Sequence, residues 1–476
     1  MVAHLPIAVS WQEITGWIAL IDFVLIGITL LSILSLKRNS TSVIAWAMTV
    51  LFIPLFGLIS YWLFGYQSVY RPLARKKRHA QAYRQRTSSS ENGIEKLAAG
   101  DLATSLGASP RTAGNSIELF HDGRATFDAM LKAIREAKQS IHLELFIFRA
   151  DGLGTAFIEA MTERAKAGVP VRFLFDAVGS WTLRQRHLQP LVDAGGKVSP
   201  FLAISLLKRS FQINLRNHRK LLVVDGQTAF TGGFNVGDEY LGLDPFFGPW
   251  RDTFMRVQGP TVRHMQRIFI EDWSFATREE LNEDDYVGRF ESTGGVYAQI
   301  ACSGPDQELK TIRETYFASI VKAKERVWIA SPYFVPDASL LDALCLAARS
   351  GRDVRLLLPF RPDKWLPFLA ARYYWTEVLA AGVKIYQYTA GFMHSKVMII
   401  DDAWSSVGSA NFDCRSLYLN FEMTCLMESK DVVDELESAL LLDMETAIRV
   451  VPEVFEQRGF AGRMAENACR LFSPIL

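Results

Sequence analysis

His218, Lys220 and Asp225 lie in the stretch NHRKLLVVDGQTAFTGGFN, residues 217–235, and His394, Lys396 and Asp401 lie in MHSKVMIIDDAWSSVGSAN, residues 393–411. Both read His-x-Lys-x-x-x-x-Asp. In both, an asparagine follows the histidine by seventeen positions, 218 to 235 and 394 to 411, behind a small pair, Gly232-Gly233 or Gly408-Ser409. One His-x-Lys on a strand is ordinarily a surface pair. The same residue types at the same offsets, twice in one chain, mark a repeated functional element. Residues two apart on a strand project from one face, so His218 joins Lys220 and His394 joins Lys396.

Two such strands brought together converge two imidazoles, two ammonium groups and two carboxamides, an inventory suited to a phosphodiester. The lysines, with Asn235 and Asn411, would hold the non-bridging oxygens, most strongly as charge grows in the transition state. Gly233 and Ser409 let the backbone close on the phosphate and offer N–H groups, with the Ser409 hydroxyl as a further donor. No His, Cys and carboxylate spacing suits a metal, so neither metal nor cofactor is expected, and the lysines take the part of the cation. Two histidines permit a two-step displacement. One attacks phosphorus to give a phosphohistidine while the other protonates the departing oxygen, then deprotonates the incoming one. Each imidazole also needs a group to fix its tautomer, and Asp252 in PWRDTFMRV and Glu422 in NFEMTCLM, a short way past each turn, are the candidates. Asp225 and Asp401 complete the six-residue motif set. Their odd separation from the histidine turns them to the opposite side of the strand, where they act as structural hydrogen-bond acceptors.

The elements that must position these residues are also duplicated. SIHLELFIFRADGLGTAFIEAMTERAKAGVPVRFLFD reads strand, turn, amphipathic helix, strand, and RVWIASPYFVPDASLLDALCLAARSGRDVRLLLPF repeats that order. A further helix, turn and strand follows each, in LQPLVDAGGKVSPF and YYWTEVLAAGVKIYQY. Strands alternating with helices predict parallel sheets with helices on both faces. The expected fold class is therefore α/β, with two α-β-α halves, 113–290 and 291–476, sharing one active site. Glu144 and Asp176, at strand ends near where such sheets place their pockets, are candidates to bind an acceptor alcohol. His142 and His264 stand alone on apolar stretches and read as core residues.

Ile14 to Leu36 and Val43 to Phe64 are almost continuously apolar, each about the ~20 residues that cross a bilayer, so residues 1–66 are expected to form two transmembrane helices. Pro54 and Gly57 in the second suggest a kink or a close helix contact. Asp22 is an isolated charge in the first span. The basic run from Arg71 to Arg86 outweighs Lys37 and Arg38 and should stay inside, which places both termini in the cytoplasm. Residues 67–112, basic and then rich in Ser, Gly and Ala, read as a tether. With 52 Lys and Arg against 51 Asp and Glu, the net charge of +1 does not match a polyanion, and nucleic acid is not an expected partner. The five cysteines show no CxxC spacing and read as reduced core thiols of a cytoplasmic domain. The apolar then cationic segment FLAISLLKRSFQINLRNHRK and the mixture FRPDKWLPFLAARYYW are candidates for contact with a membrane interface.

The doubled HxKxxxxD motif resembles that of the phospholipase D superfamily. With GGFNVGDEY, GPWRDT, IEDW, SPYFVPD, GSANFDCRS and the ending RLFSPIL, the chain is similar to the bacterial cardiolipin synthase family over nearly its whole length. That resemblance implies a multi-pass enzyme of the bacterial inner membrane with its catalytic part in the cytoplasm. Its substrates would be phosphatidylglycerol and other anionic phospholipids, with one phosphatidyl group moved onto the glycerol of a second lipid and glycerol released. It implies His218 as the nucleophile, His394 as the acid and base, and Lys220, Lys396, Asn235 and Asn411 as the phosphate cradle. Hydrolytic phospholipase D activity, transfer to another alcohol, and a membrane-anchored nuclease stand as the alternatives, and the oligomeric state is not given by the sequence.

Overall fold

The computed structural model describes residues 11–35, 40–62, 102–202, 215–287, 292–307 and 309–476. In the first half the strands are β1 (Thr112–Phe120), β2 (Ile141–Leu145), β3 (Val171–Asp176), β4 (Lys197–Phe201), β5 (Leu221–Val224), β6 (Thr228–Gly232), β7 (Trp250–Arg251) and β8 (Phe254–Gln258). The second half holds β9 (Val296–Ser303), β10 (Arg326–Ala330), β11 (Phe334–Val335), β12 (Asp353–Pro359), β13 (Lys384–Tyr388), β14 (Phe392–Met393), β15 (Val397–Ile400), β16 (Trp404–Gly408), β17 (Phe412–Asp413), β18 (Glu422–Glu428) and β19 (Ala447–Arg449). The spatial order is β1-β8-β6-β5-β2-β3-β4 in one half and β9-β18-β16-β15-β10-β12-β13-β19 in the other. Apart from β19, the second repeats the first strand for strand.

The helix Gly152–Lys166 carries the chain from β2 to the parallel β3, and Ala338–Arg349 does the same between β10 and β12. Both start where an aspartate closes the first turn: Asp151 accepts from the Gly154 N–H at 3.1 Å and Asp337 from the Leu340 N–H at 2.9 Å. Phe157, Ile158 and Met161 of the first helix and Leu340, Leu344 and Cys345 of the second are buried against their own sheets.

The sheets are mixed, not purely parallel. β5 runs antiparallel to β2, and β6, β8 and β1 continue antiparallel beyond it. The cause is local. The chain reverses directly from β5 into β6 through Asp225 and Gly226, both in the left-handed region at φ 54° and 62°, so no crossover helix can intervene. Asp-Gly between two apolar runs is the sequence signal for that hairpin, and an alternation of strands and helices overlooks it.

Asp225 and Asp401 lie just past the ends of β5 and β15, so the turn and not strand alternation removes them from the histidine side. The Asp225 carboxylate accepts from the backbone N–H groups of Lys138, Gln139 and Ser140 at 3.0, 2.6 and 3.0 Å. Asp401 accepts from Lys324, Glu325 and Arg326 at 3.1, 2.8 and 3.1 Å. Each aspartate thus fastens the motif hairpin to the start of the neighbouring strand.

The two sheets join edge to edge where β1 meets β9, antiparallel, with Thr112 opposite Ala298 and Asn115 opposite Val296. The buried Asn115 amide donates to the Thr112 and Val296 carbonyls at 2.9 and 3.1 Å and accepts from the Thr261 N–H at 2.9 Å, so one side chain bridges the seam. The ordered body begins before β1. Ala103 and Ala108 are buried in the second half's core, Ser109 N–H donates to the Ile300 carbonyl at 2.8 Å, and Thr311 Oγ1 donates to the Leu106 carbonyl at 2.7 Å. Small side chains that read as tether are there because they fit a tight packing site. The remainder of the expected tether, and the boundary expected at 290, lie outside the described residues.

The N-terminal residues form a separate unit. Helix Trp11–Ser35 contains a 21-residue stretch, Thr15–Ser35, long and apolar enough to cross a membrane. The second expected span is broken into Ser40–Phe52 and Pro54–Ser60, each shorter than a crossing requires, with Pro54 in the first turn of the latter. The break brings Gly57 against Val50, whose Cα would lie 2.7 Å from any added Cβ, so glycine is needed there. Thr29 and Ser32 of the first helix meet Trp62 Nε1 at 3.1 Å and Tyr61 OH at 2.9 Å. The basic residues that set the expected orientation lie outside the described residues.

Asp225→Ala removes three acceptor contacts and places a Cβ residue without a compensating carboxylate at positive φ. It is expected to destabilise the chain by about 2–4 kcal/mol in thermal or denaturant unfolding, with Asp225→Asn losing less because one oxygen still accepts.

Candidate active site

His218 and His394 do not sit inside strands. Each is in the extended segment that enters one, and each is fastened by the opposite half of the molecule. His218 N–H donates to the Phe421 carbonyl at 2.9 Å, and His218 Nδ1 lies 3.0 Å from the carboxylate of the next residue, Glu422. His394 N–H donates to the Arg251 carbonyl at 2.7 Å, and His394 Nδ1 lies 2.6 Å from Asp252. The two expected orienting carboxylates are therefore both present, and each serves the histidine of the other repeat. In each pair Nδ1–H donates to the carboxylate, which leaves Nε2 unprotonated on the neutral ring.

Burial dominates the electrostatics. His218 is lowered to about 4, first by burial, with Glu422 opposing and Lys220 and Lys396 adding to the depression. His394 is lowered to about 3, by burial and then by Lys396, with Asp252 opposing. Lys220 and Lys396 are fully enclosed and fall to about 7 and about 8, again chiefly through burial. Burial also acts to raise the Glu422 carboxyl, but His218, Lys220 and the Ser409 hydroxyl outweigh it and hold the group below its ordinary value. Each histidine responds to the lysine of the opposite motif, so the four groups form one electrostatic cluster. Lys220 Nζ donates to the His218 carbonyl at 2.8 Å, and Lys396 Nζ donates to the His394 carbonyl and lies 2.9 Å from His394 Nδ1.

The small residues of the two turns have a different role from the one their sequence suggests. Gly233 N–H donates to the Thr253 carbonyl at 3.2 Å and Ser409 N–H to the Met423 carbonyl at 2.9 Å, so neither is available to a phosphate. A Cβ at Gly233 would overlap the Asp252 carboxylate, which occupies that space. Ser409 Oγ donates to Glu422 at 2.5 Å. Both positions thus shape or hold an orienting carboxylate. Asn235 is buried, accepting from the Ile147 N–H at 3.1 Å and donating to Tyr240 OH at 3.2 Å, while Asn411 Oδ1 is buried without a partner among the described residues.

Glu144 and Asp176, the acceptor-alcohol candidates, are buttresses. Asp176 accepts from the N–H groups of Val178, Gly179 and Asn217 at 2.9, 2.8 and 2.8 Å, and Glu144 accepts from the Asn217 amide. Both therefore fix the residue before His218. His142 and His264 are buried in the first half, as expected of core residues. Phe201 is fully buried with its ring 5.3 Å from Phe421, so it is core and not interface, and residues 203–214 of that segment lie outside the described residues.

Several site residues were not singled out in the sequence. The rings of Phe146 and Trp250 lie 4.8 and 5.2 Å from those of His218 and His394. The Trp250 indole N–H is buried without a partner among the described residues, a donor beside His394. Arg219 bonds Asp272 and the Glu422 carbonyl, and Arg251 bonds Asp443 at 2.7 Å and the Asp252 carbonyl at 2.6 Å. Arginines next to a motif histidine or its partner carboxylate in sequence, each needing a buried acid from a distant helix, become visible only when the chain is folded.

The depressed histidines give a signed prediction. Unfolded imidazoles titrate near 6.5, so below that pH the unfolded chain takes up protons that the folded site refuses. Stability should be fully present above about pH 6.5 and fall as pH drops toward 4. His142 and His264 contribute with the same sign, being lowered to about 3 by burial. The measurement is accordingly a difference: the melting temperature of His218→Ala/His394→Ala should fall less steeply between pH 7 and 4.5 than that of the parent chain.

A family model described as "Cardiolipin synthase, PLD-like domain" matches residues 130–273 and 316–442, and one described as "Phospholipase D-nuclease N-terminal" matches 24–65. The cardiolipin synthase of a Geobacillus species is 41% identical over 92% of this chain and 90% of its own, and that of Halalkalibacterium halodurans is 38% identical over 98% and 95%. Among solved structures, phosphatidylserine synthase of Haemophilus influenzae superposes with a TM-score of 0.57 at 15% identity, covering 82% of this chain and 99% of that one, which establishes the shared fold. Two like halves, a histidine, lysine and exchanged carboxylate from each, and these matches over nearly the whole length lead to one conclusion: the chain belongs to the cardiolipin synthase family of phospholipase D-like proteins.

Proposed function

We propose that this chain moves a phosphatidyl group from one phosphatidylglycerol to the headgroup hydroxyl of a second, making cardiolipin and glycerol, with His218 and His394 on opposite sides of the reacting phosphorus. The observation that carries the reading is the reciprocal pairing of His218 with Glu422 and His394 with Asp252. Each pairing presents a basic Nε2 and leaves a carboxylate to balance the charge that nitrogen acquires.

In the first step His218 Nε2 attacks phosphorus while the P–O bond to the headgroup glycerol breaks. His394, protonated on Nε2, delivers its proton to that oxygen, and glycerol leaves. In the second step His394 Nε2 takes the proton of the incoming headgroup hydroxyl, whose oxygen attacks phosphorus and displaces His218. Burial depresses both imidazoles and both lysines, while the Glu422 carboxyl is held below its ordinary value. A phosphodiester anion beside them opposes the depression: it favours the charged forms of Lys220 and Lys396 and supports the imidazolium that the acid step requires.

The near-complete burial of both histidines, each 9% exposed, favours transfer to a lipid hydroxyl over transfer to water. We assign the enzyme to a bacterial inner membrane as a multi-pass protein with its catalytic part in the cytoplasm, acting on anionic phospholipids. A diacyl lipid loses about 0.8 kcal/mol for each methylene it withdraws from the bilayer, so the reaction has to take place at the membrane surface.

Reconstitution of the full chain with labelled phosphatidylglycerol should give equimolar cardiolipin and glycerol, and His218→Ala and His394→Ala should each lower the rate by about 10³-fold or more. Rapid acid-free quenching should trap label on His218. Phosphatidic acid as the main product would replace transfer by hydrolysis, label on His394 would exchange the two roles, and near-normal turnover by either alanine variant would remove the mechanism.

A further inference from the structure

Outside the N-terminal helices, three exposed aromatic side chains lie in connections that lead to residues of the site. Trp181 is 75% exposed, Phe246 63% and Trp365 68%. They come from three different connections, and each connection is tied to a site residue.

The loop that carries Trp181 follows β3 and packs through Gly179 onto Phe146, where any Cβ at 179 would overlap the Phe146 carbonyl. Ser180 Oγ donates to that same carbonyl at 3.0 Å, and the Phe146 ring lies 4.8 Å from His218. Phe246 begins a series of rings running inward: 4.9 Å to Phe247, 5.4 Å from there to Trp250, and 5.2 Å from Trp250 to His394. Trp365 opens the helix Trp365–Ala380 two residues after Asp363, which accepts from Tyr333 OH at 2.5 Å and acts electrostatically on Lys396. Each of the three exposed aromatic tips thus belongs to a connection that packs on or acts on His218, His394 or Lys396.

The tips are accompanied by exposed cations. Arg184 and Arg186 follow Trp181, and Arg361 and Lys364 precede Trp365. Exposed tryptophan and phenylalanine interleaved with arginine and lysine match the chemistry of an anionic bilayer surface, where amphipathic rings settle at the headgroup level and cations meet lipid phosphates.

We infer that Trp181, Phe246 and Trp365, with the cations that flank Trp181 and Trp365, form a rim that docks the catalytic body on an anionic phospholipid surface and seats the histidine pair over the headgroups. The inference rests on the phosphatidyl-transfer reading for its purpose, but not for its geometry. Docking by the rim explains how a site whose histidines are almost fully enclosed reaches lipids that stay in their bilayer: the mouth itself is applied to the interface, and a headgroup rises only the depth of the rim.

Two measurements on the full chain in phosphatidylglycerol vesicles test this. A photocrosslinking residue in place of Trp181, Phe246 or Trp365 should attach to lipid. One in place of Leu346, which is 59% exposed on the helix Ala338–Arg349, should not. Absence of lipid adducts at all three rim positions, or equal labelling at Leu346, overturns the inference. In the second measurement, the rate on vesicle phosphatidylglycerol is divided by the rate on dispersed short-chain phosphatidylglycerol below its critical micelle concentration. That ratio should fall at least tenfold in the W181S/F246S/W365S variant, and an unchanged ratio also overturns it. Rim adducts in a parent chain that makes no cardiolipin would sink the transfer reading and leave the docking surface standing.

Discussion

The structure turns on an exchange between its two halves: Glu422 holds His218, and Asp252 holds His394. Each exchange is doubled by a backbone bond one residue away, from His218 N–H to the Phe421 carbonyl and from His394 N–H to the Arg251 carbonyl. A histidine bonded at both its amide and its Nδ1 has little freedom to rotate, and neither half could orient its own imidazole alone. The duplicated sequence is therefore not two sites but one. The seam at Asn115 has a corresponding task, since a one-residue slip of β1 on β9 would carry Asp252 and Glu422 away from the rings they orient.

Such a site opposes folding. Two lysines, two imidazoles and two carboxylates share a volume from which water is largely removed, and burial, only partly offset by the neighbouring carboxylates, lowers the lysines to about 7 and about 8. What holds the cluster in place is a ring of further bonds. Arg219 with Asp272 and Arg251 with Asp443 fasten the segments beside His218 and Asp252 from helices well separated in sequence. Asp176 and Glu144 fix Asn217, and the motif aspartates lock the far ends of β5 and β15. Most polar residues around the motif histidines and lysines thus serve as supports, as expected when buried charges need partners to be held away from solvent.

Much of this was legible in the chain before folding. The doubled motif gave the two histidines and lysines, apolar strands followed by amphipathic helices gave the repeated α/β halves, and Asp252 and Glu422 stood out as carboxylates on apolar stretches. What could not be read was which carboxylate serves which histidine. Sequence distance favours a partner from the same repeat, whereas the partner is set by how two sheets meet. The same limit explains Gly233 and Ser409: their smallness was visible, but the neighbour that requires it, Asp252 or Glu422, arrives from another strand. Glu144 and Asp176 sit at the strand ends where doubly wound sheets place ligands, yet the entry segment of the antiparallel β5 occupies that position and takes their hydrogen bonds. Local pattern reports an element and its faces. It does not report what the third element does with them.

The repeats also differ where the chemistry needs a difference. On one side, the longer Glu422 reaches His218 and takes the Ser409 hydroxyl at 2.5 Å. On the other, the shorter Asp252 reaches His394 only because position 233 has no side chain, and Lys396 stands 2.9 Å from the same ring nitrogen. Two identical imidazoles would share one proton affinity, yet a displacement at phosphorus requires one to attack while the other holds a proton. A serine in place of a glycine, and a glutamate in place of an aspartate, alter the reach of the carboxylate and the hydrogen bonds around each ring without moving either from the shared site. The near symmetry of the fold brings the two rings into one electrostatic cluster, and the departures from it give each ring a different set of partners.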